Sequence, residues 1–329
     1  MKNVLYVAEP GAYVRQHHAR LRVTKGETTL TEVRLKEVER VVLLSGTAGL
    51  TGPAATCLLE NGIDAAFVGW NGELRGCLLG VTSRGVETRL AQYALFNDPP
   101  RRLDLARRIV IRKIRNSDSL LGRFGRNHPE IDLRRERTRL KAAAHAASNA
   151  TSIEALFGYE GDAAATYFAA YGQILPEPFR FTLRTRRPPR DPANALLSYG
   201  YSLLAAEATG AIAAAGLDPG LGMLHAPDNG RASLALDLME EFRAAVVDRL
   251  VLYLTNCRIL DAKADFEKQG EGFRLLPPGR RKFMDAYEKR MQEPAQDAPE
   301  GLRARLHRQA SALTRALQKG TAYRGFALR

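Results

Sequence analysis

Cysteine is scarce in this 329-residue chain. Cys57, Cys77 and Cys257 are the only three, widely spaced and odd in number. That pattern fits neither a disulfide framework nor a C-x-x-C knuckle, which disfavours zinc and iron–sulfur sites. No uncharged apolar run reaches the roughly 18 residues that a membrane-spanning helix needs. The opening Met1-Lys2-Asn3-Val4-Leu5 enters a short alternating segment without the apolar core and cleavage site of a secretory signal, so a cytoplasmic location is expected. There is no G-x-x-x-x-G-K-[ST] phosphate loop, and no serine or cysteine is followed by the partners of a covalent mechanism. An ATP-driven enzyme is therefore disfavoured. What remains is ordinary for a folded protein, 45% apolar and 26% charged, in a chain longer than one hydrophobic core usually serves. Two domains are expected.

Acidic residues are outnumbered 36 to 49, and the resulting charge of +13 is segregated. Between Arg101 and Lys141 there are 14 basic and 5 acidic residues; from Arg274 to Arg329 there are 13 and 5; the remainder nets −4. Clustered positive charge is the footprint of a polyanionic partner, because each phosphate neutralised by Lys or Arg releases a condensed counterion. The alternative is a set of solvated helix faces with i,i+4 pairing. A membrane surface is disfavoured, since Arg107-Arg108 and Arg134-Arg135 lack Trp or Phe in an amphipathic stripe.

The pattern predicts an α+β protein with a small β-rich N-terminal domain over residues 1–85, a linker over 86–100 and a larger all-α domain over 101–329. Short apolar runs at Val4–Val7, Leu21–Val23, Val33–Leu35, Val41–Leu44, Ala65–Val68 and Leu74–Leu79 read as strands. Lys25-Gly26 and Asn71-Gly72 are turn signals between them. One helix interrupts, from Gly52 to Glu60, with Thr51 as N-cap and Asn61-Gly62 as stop. After Asn97-Asp98-Pro99-Pro100 the chain turns rich in Ala, Leu and Arg. The best delimited helix is capped by Asp191, has Pro192 in its first turn and stops at Gly216. The next is expected to start after Ser233, as its cap, and to run to about Asn256. From Glu293 to Glu300 Pro and acidic residues thin out the pattern, and the last helical stretch, to Arg329, reads as a mobile tail.

Asp237, Glu240 and Glu241 fall in the first two turns of that second helix. Asp237 and Glu240 share a face, and Glu241 points about 100° further round. Acids near a helix N-terminus complement the macrodipole, so a merely electrostatic role stands beside a chemical one. His225 closes the Gly220–Leu224 loop where the chain turns back toward this helix, as a packing residue or as a ligand. Glu160 sits between Gly158 and Gly161 at the expected start of an alanine-rich helix, with the same two readings. A Glu, His and Glu set on separate elements suits a hard divalent ion, Mg²⁺ or Mn²⁺. Such an ion supports phosphoryl chemistry without a protein nucleophile.

Four blocks, Gly158-Tyr159-Glu160-Gly161, Asn194-Ala195-Leu196-Leu197-Ser198-Tyr199-Gly200-Tyr201, Gly222-Met223-Leu224-His225 and Ser233 to Arg243, resemble in order and spacing the CRISPR-associated integrase of spacer acquisition, the Cas-one family. The resemblance implies that Glu160, His225 and Glu240 are metal ligands, with Asp237 as an assisting acid. It implies a homodimer formed through the β-rich domain, two such dimers bridged by the small Cas-two partner, and double-stranded DNA whose 3′-hydroxyls attack the repeat by transesterification. Any iron–sulfur end-trimming nuclease would be a separate polypeptide. Arg243 is placed either to hold a phosphate or to pair with Glu240 or Glu241. Arg186 and Arg187, in a proline-stiffened connector, are candidate DNA-backbone contacts.

Overall fold

The computed structural model describes residues 3–69, 74–80, 85–295 and 298–328. Among these described residues eight strands occupy the first part: β1 (Asn3–Val7), β2 (Tyr13–His17), β3 (Arg20–Lys25), β4 (Thr28–Arg34), β5 (Val38–Leu43), β6 (Gly49–Leu50), β7 (Asp64–Val68) and β8 (Leu74–Leu78). Helix α1 (Gly52–Glu60) stands between β6 and β7, capped by the Thr51 side chain, which accepts from the Ala54 N–H. One sheet has the order β1-β5-β7-β8, parallel except for the last pair; the other has the order β4-β3-β2-β6. The turn signal Asn71-Gly72 lies outside the described residues. Tyr13–His17, too polar to read as a strand, pairs with both β3 and β6.

The apolar run Val41–Leu44 has a tertiary explanation. Side chains alternate across a strand. Val41 and Leu43 pack with Leu21, Leu58 and Ala65 into a core between the two sheets. Val42 and Leu44, with Ala66 and Val68, belong instead to the larger helical core. A parallel sheet buried on both faces needs such continuous hydrophobicity.

Among the described residues nine helices follow: α2 (Val86–Phe96), α3 (Pro99–Asn127), α4 (Arg134–Ser148), α5 (Ile153–Gln173), α6 (Pro192–Ala214), α7 (Ser233–Glu240), α8 (Arg249–Asn256), α9 (Pro277–Gln292) and α10 (Leu302–Lys319). Strands followed by a mostly helical region make the α+β class expected. Much of the stretch read as a linker is the helix α2, packed on α3 and α10. A short hairpin, β9 (Phe266–Gln269) with β10 (Gly272–Leu275), interrupts the helices. Helix α6 begins as expected, the Asp191 side chain accepting from the Asn194 N–H at 2.8 Å. Among the described residues no helix is long and apolar enough to cross a membrane.

Three local expectations need correction. Ser233 is the first residue of α7, not its cap, because its hydroxyl donates instead to the Ala226 carbonyl at 3.0 Å. The helix expected to reach Asn256 is broken after Glu240: i→i−3 bonds at Glu241 and Phe242 precede a π-helical turn, Ala244–Asp248, and only then α8. Irregular turns of this kind recur at functional sites. The tail after α10 is docked, with Tyr323 and Phe326 buried.

Candidate active site

Glu160 is not at a helix start. Ser152 caps α5, accepting from the Ala155 N–H, which puts Glu160 in the helix interior. Two interior glycines cost about 1 kcal/mol each relative to alanine, and the burial of Leu156, Ala163 and Tyr167 holds the helix through them. The dipole reading of Glu160 therefore falls. A Cβ at Gly158 or Gly161 would meet nothing within 4 Å, so the helix surface flanking Glu160 is open.

Glu160 and Glu240 converge on one cation, the Lys113 ammonium of α3. Its Nζ bridges the Glu160 carboxylate and Glu240 Oε2, the latter at 2.7 Å. Nothing in the 101–141 run sets Lys113 apart from its other basic residues. Arg243 pairs with Glu240 at 3.2 Å and lies over the Tyr201 ring at 4.2 Å, the pairing alternative of the two foreseen. Burial alone would raise the Glu240 carboxyl, yet Arg243 and Lys113 together hold it down to about 2. It is a carboxylate at any working pH.

Asp237 has a different task. Its Oδ2 accepts from the N–H groups of Met223 and Leu224, at 2.6 and 2.9 Å, and its Oδ1 from the His225 N–H at 3.0 Å. The same Oδ1 lies 2.7 Å from His225 Nδ1. This fully buried carboxylate ties the loop to α7 and, by accepting from Nδ1–H, leaves Nε2 carrying the lone pair of the imidazole. Gly222 lets the loop close, since a Cβ there would come within 2.5 Å of the His225 carbonyl oxygen. The His225 ring also meets Phe157 of α5 edge-on at 6.0 Å. The loop thus lies beside the helix that carries Glu160.

Glu241 points elsewhere. It is fully buried, and its Oε2 accepts from the Phe326 N–H at 2.6 Å. Burial pushes its carboxyl up to about 8, against the pull of the Phe326 N–H and Tyr323. The native chain therefore keeps a proton there that the unfolded chain, with an ordinary value of 4.5, releases. This contribution to stability is complete below pH 4.5 and is lost as pH rises toward 8. The native protein should lose up to about 1.4 kcal/mol per pH unit in that window relative to Glu241→Gln. Urea titrations of both proteins at pH 5.5 and 7.5 measure the difference, and parallel pH dependences would contradict it.

Beneath the site, Asp248 accepts from the hydroxyls of Tyr167 and Tyr201 at 2.6 and 2.5 Å, a network not legible in the sequence. A cavity of about 20 Å³, with room for one water, is lined by Lys113, Glu160, Tyr201, Arg243 and Asp248 among others. On the other side of Arg243 opens a cleft of about 910 Å³ that includes Arg75, Arg184, Arg186, Arg187 and Arg231, with no acidic residue among those described. The two candidate connector arginines and Arg243 thus face one space.

Among the described residues no three His, Cys, Asp or Glu side chains are drawn together tightly enough to cage a metal ion. The donor set nonetheless suits one. Two carboxylates already gather around a single positive centre. The imidazole beside them presents a nitrogen with its tautomer fixed by a carboxylate, the usual support of a metal-binding histidine.

A family model for CRISPR associated protein Cas1 matches residues 5–289. A CRISPR-associated endonuclease Cas1 of Thermus thermophilus is 41% identical over 293 residues, 88% of this chain and 85% of its own. In a solved structure, a casposase bound to integration product, the matched chain has a TM-score of 0.86 at 25% identity, covering 98% of this chain and 92% of that one. A chain of a Cas6-RT-Cas1–Cas2 complex has a TM-score of 0.84 at 27% identity, covering 98% of this chain but 36% of that one. With its sequence matched from the first strand into α9, and its fold shared over nearly the whole length, the chain belongs to the CRISPR-associated Cas1 family.

Proposed function

We propose that this chain is a divalent-metal-dependent DNA integrase and endonuclease that inserts new spacers into a CRISPR array. The observation that carries the reading is the meeting of Glu160 and Glu240, from two helices, around one cation position, beside an imidazole oriented by Asp237. Membership of a family whose relatives are named endonucleases, and likeness to a casposase holding an integration product, support it. Glu160, His225 and Glu240 would hold Mg²⁺ or Mn²⁺, with Lys113 giving way. When bound, such an ion would polarise the target phosphodiester and acidify the attacking hydroxyl.

The reaction is balanced without a nucleotide cofactor. A donor 3′-oxygen bonds to the target phosphorus as the existing P–O bond breaks, and the target strand leaves with a new 3′-hydroxyl. One phosphodiester replaces another, in accord with the missing phosphate loop. Asp237 keeps His225 oriented; Arg243, released from Glu240, would meet the reacting phosphate; Arg186 and Arg187 would track the DNA backbone along the cleft. Double-stranded DNA is the substrate in this reading. The active assembly would be homodimers formed through residues 1–85 and bridged by Cas2. The likeness to a chain from a Cas2-containing complex supports the Cas2 assignment.

One observation favours a second reading, a non-catalytic nucleic-acid scaffold: Lys113 and Arg243 together already neutralise the two carboxylates. A single assay separates them. The purified protein, Mn²⁺, a labelled DNA with free 3′-hydroxyls and a mock repeat should give a joined product that EDTA abolishes. Salt-sensitive binding without joining or cutting would establish the scaffold, and cutting without joining would mark a plain nuclease.

A further inference from the structure

The residues after α10 form a strap across the back of the proposed site. The amide of Asn116, on α3, is fully engaged there: Nδ2 donates to the Glu241 carbonyl at 2.7 Å and to the Phe326 carbonyl at 2.9 Å, and Oδ1 accepts from the Leu328 N–H at 2.9 Å. The Glu241 carboxyl group accepts from the Phe326 N–H through Oε2. The Phe326 ring stacks on Phe242 at 4.3 Å and 13°. Gly325 is required for this closeness, because a Cβ there would stand 2.7 Å from Glu241 Oε1.

These contacts fall on a weak point. Glu241 and Phe242 are where the helix abandons its i→i−4 ladder, directly after Glu240. An irregular junction has more than one local solution, and the direction of the Glu240 side chain depends on which is adopted. The strap fixes one of them by gripping Glu241 through both its backbone carbonyl and its side-chain carboxyl, and Phe242 through its ring. Asn116 lies one turn from Lys113, so the same face of α3 holds the Glu240 carboxylate and the junction behind it.

We propose that residues 320–328 are a positioning element of the site, in which Asn116 and Phe326 clamp the junction at Glu241-Phe242 and thereby aim Glu240 toward Glu160. The proposal rests on the reading of Glu240 as a metal ligand. It assigns positioning roles to Asn116 and Phe326, neither of which reaches the site itself.

The test uses the full chain with Phe326→Ala, Asn116→Ala, the conservative Phe326→Tyr, and Leu58→Ala as a control. Leu58 is fully buried in the separate core between the two sheets, so its truncation lowers stability without touching the strap. Mn²⁺ affinity is read by electron paramagnetic resonance without DNA, and amide exchange is followed in peptides covering 236–246. Phe326→Ala and Asn116→Ala should weaken Mn²⁺ binding about 10- to 100-fold, in the range seen when an orienting residue of a metal site is lost, and should speed exchange across 239–242. Phe326→Tyr should restore both, and Leu58→Ala should change neither. Mn²⁺ affinity in the two alanine variants equal to that of the native chain, or an equal loss in Leu58→Ala, overturns the positioning role. If the native chain binds no Mn²⁺, the ligand reading fails; unaltered exchange at 239–242 refutes the clamp independently.

Discussion

Glu160→Ala, His225→Ala and Glu240→Ala should each depress strand transfer by roughly 10²- to 10⁴-fold while DNA affinity stays within a few-fold of the native value. The size follows from the several kcal/mol that metal-assisted charge stabilisation contributes to phosphoryl transfer, at 1.36 kcal/mol per factor of ten. Retention of binding follows from the position of the arginine cleft, whose basic side chains, Arg243 apart, are not ion-pair partners of the three candidate ligands. Glu240→Ala also leaves Lys113 and Arg243 without a carboxylate they share. Glu240→Gln, with the same shape and no charge, checks that the loss is one of ligation rather than packing. Asp237→Asn should act more mildly, about 10- to 100-fold, since it orients His225 rather than contacting the ion. Gel quantification of the joined product, with fluorescence anisotropy for binding, decides the matter. Undiminished joining in all three alanine variants would remove the proposed centre.

The largest stability effect is expected at Glu207, on α6, far from the chemistry. Its buried carboxylate pairs with Arg40 of β5 at 3.0 Å and with Arg303 of α10 at 2.8 Å; Arg303 also pairs with Glu288 of α9 at 2.8 Å. Tyr6 of β1 donates to Glu288 at 3.0 Å. This network ties the parallel sheet to three helices. Glu207→Ala strands two buried guanidinium groups without their shared counter-charge, and removing one partner of a buried pair costs about 3–5 kcal/mol. Tm should fall by roughly 4–7 °C. Replacing the cluster together, as Arg40→Met, Glu207→Leu and Arg303→Met, should recover most of the loss, because the desolvation cost leaves with the charges. Guanidinium unfolding of the full chain measures both, and a loss below about 1 kcal/mol for Glu207→Ala would show the network to be solvated.

The sequence by itself determined the elements whose signals are local. Thr51 and Asp191 cap the helices they were expected to cap, since a cap needs only a side-chain oxygen two or three residues from an unpaired N–H. The strands of the parallel sheet were legible because a layer buried on both faces must be apolar throughout. Glu160, His225, Asp237 and Glu240 could be nominated from spacing and from the family resemblance. Tertiary structure decided how they are used. Lys113 looked like any other cation in a basic run until two carboxylates from other helices closed on it. The break after Glu240 left no mark in the hydrophobic period, because the junction is held by Asn116 and Phe326, which stand 125 and 85 residues from Glu241. The docked tail was misread for the same reason. Short polar segments carry no periodic signal, and their order comes from hydrogen bonds to partners that only the completed fold brings within reach.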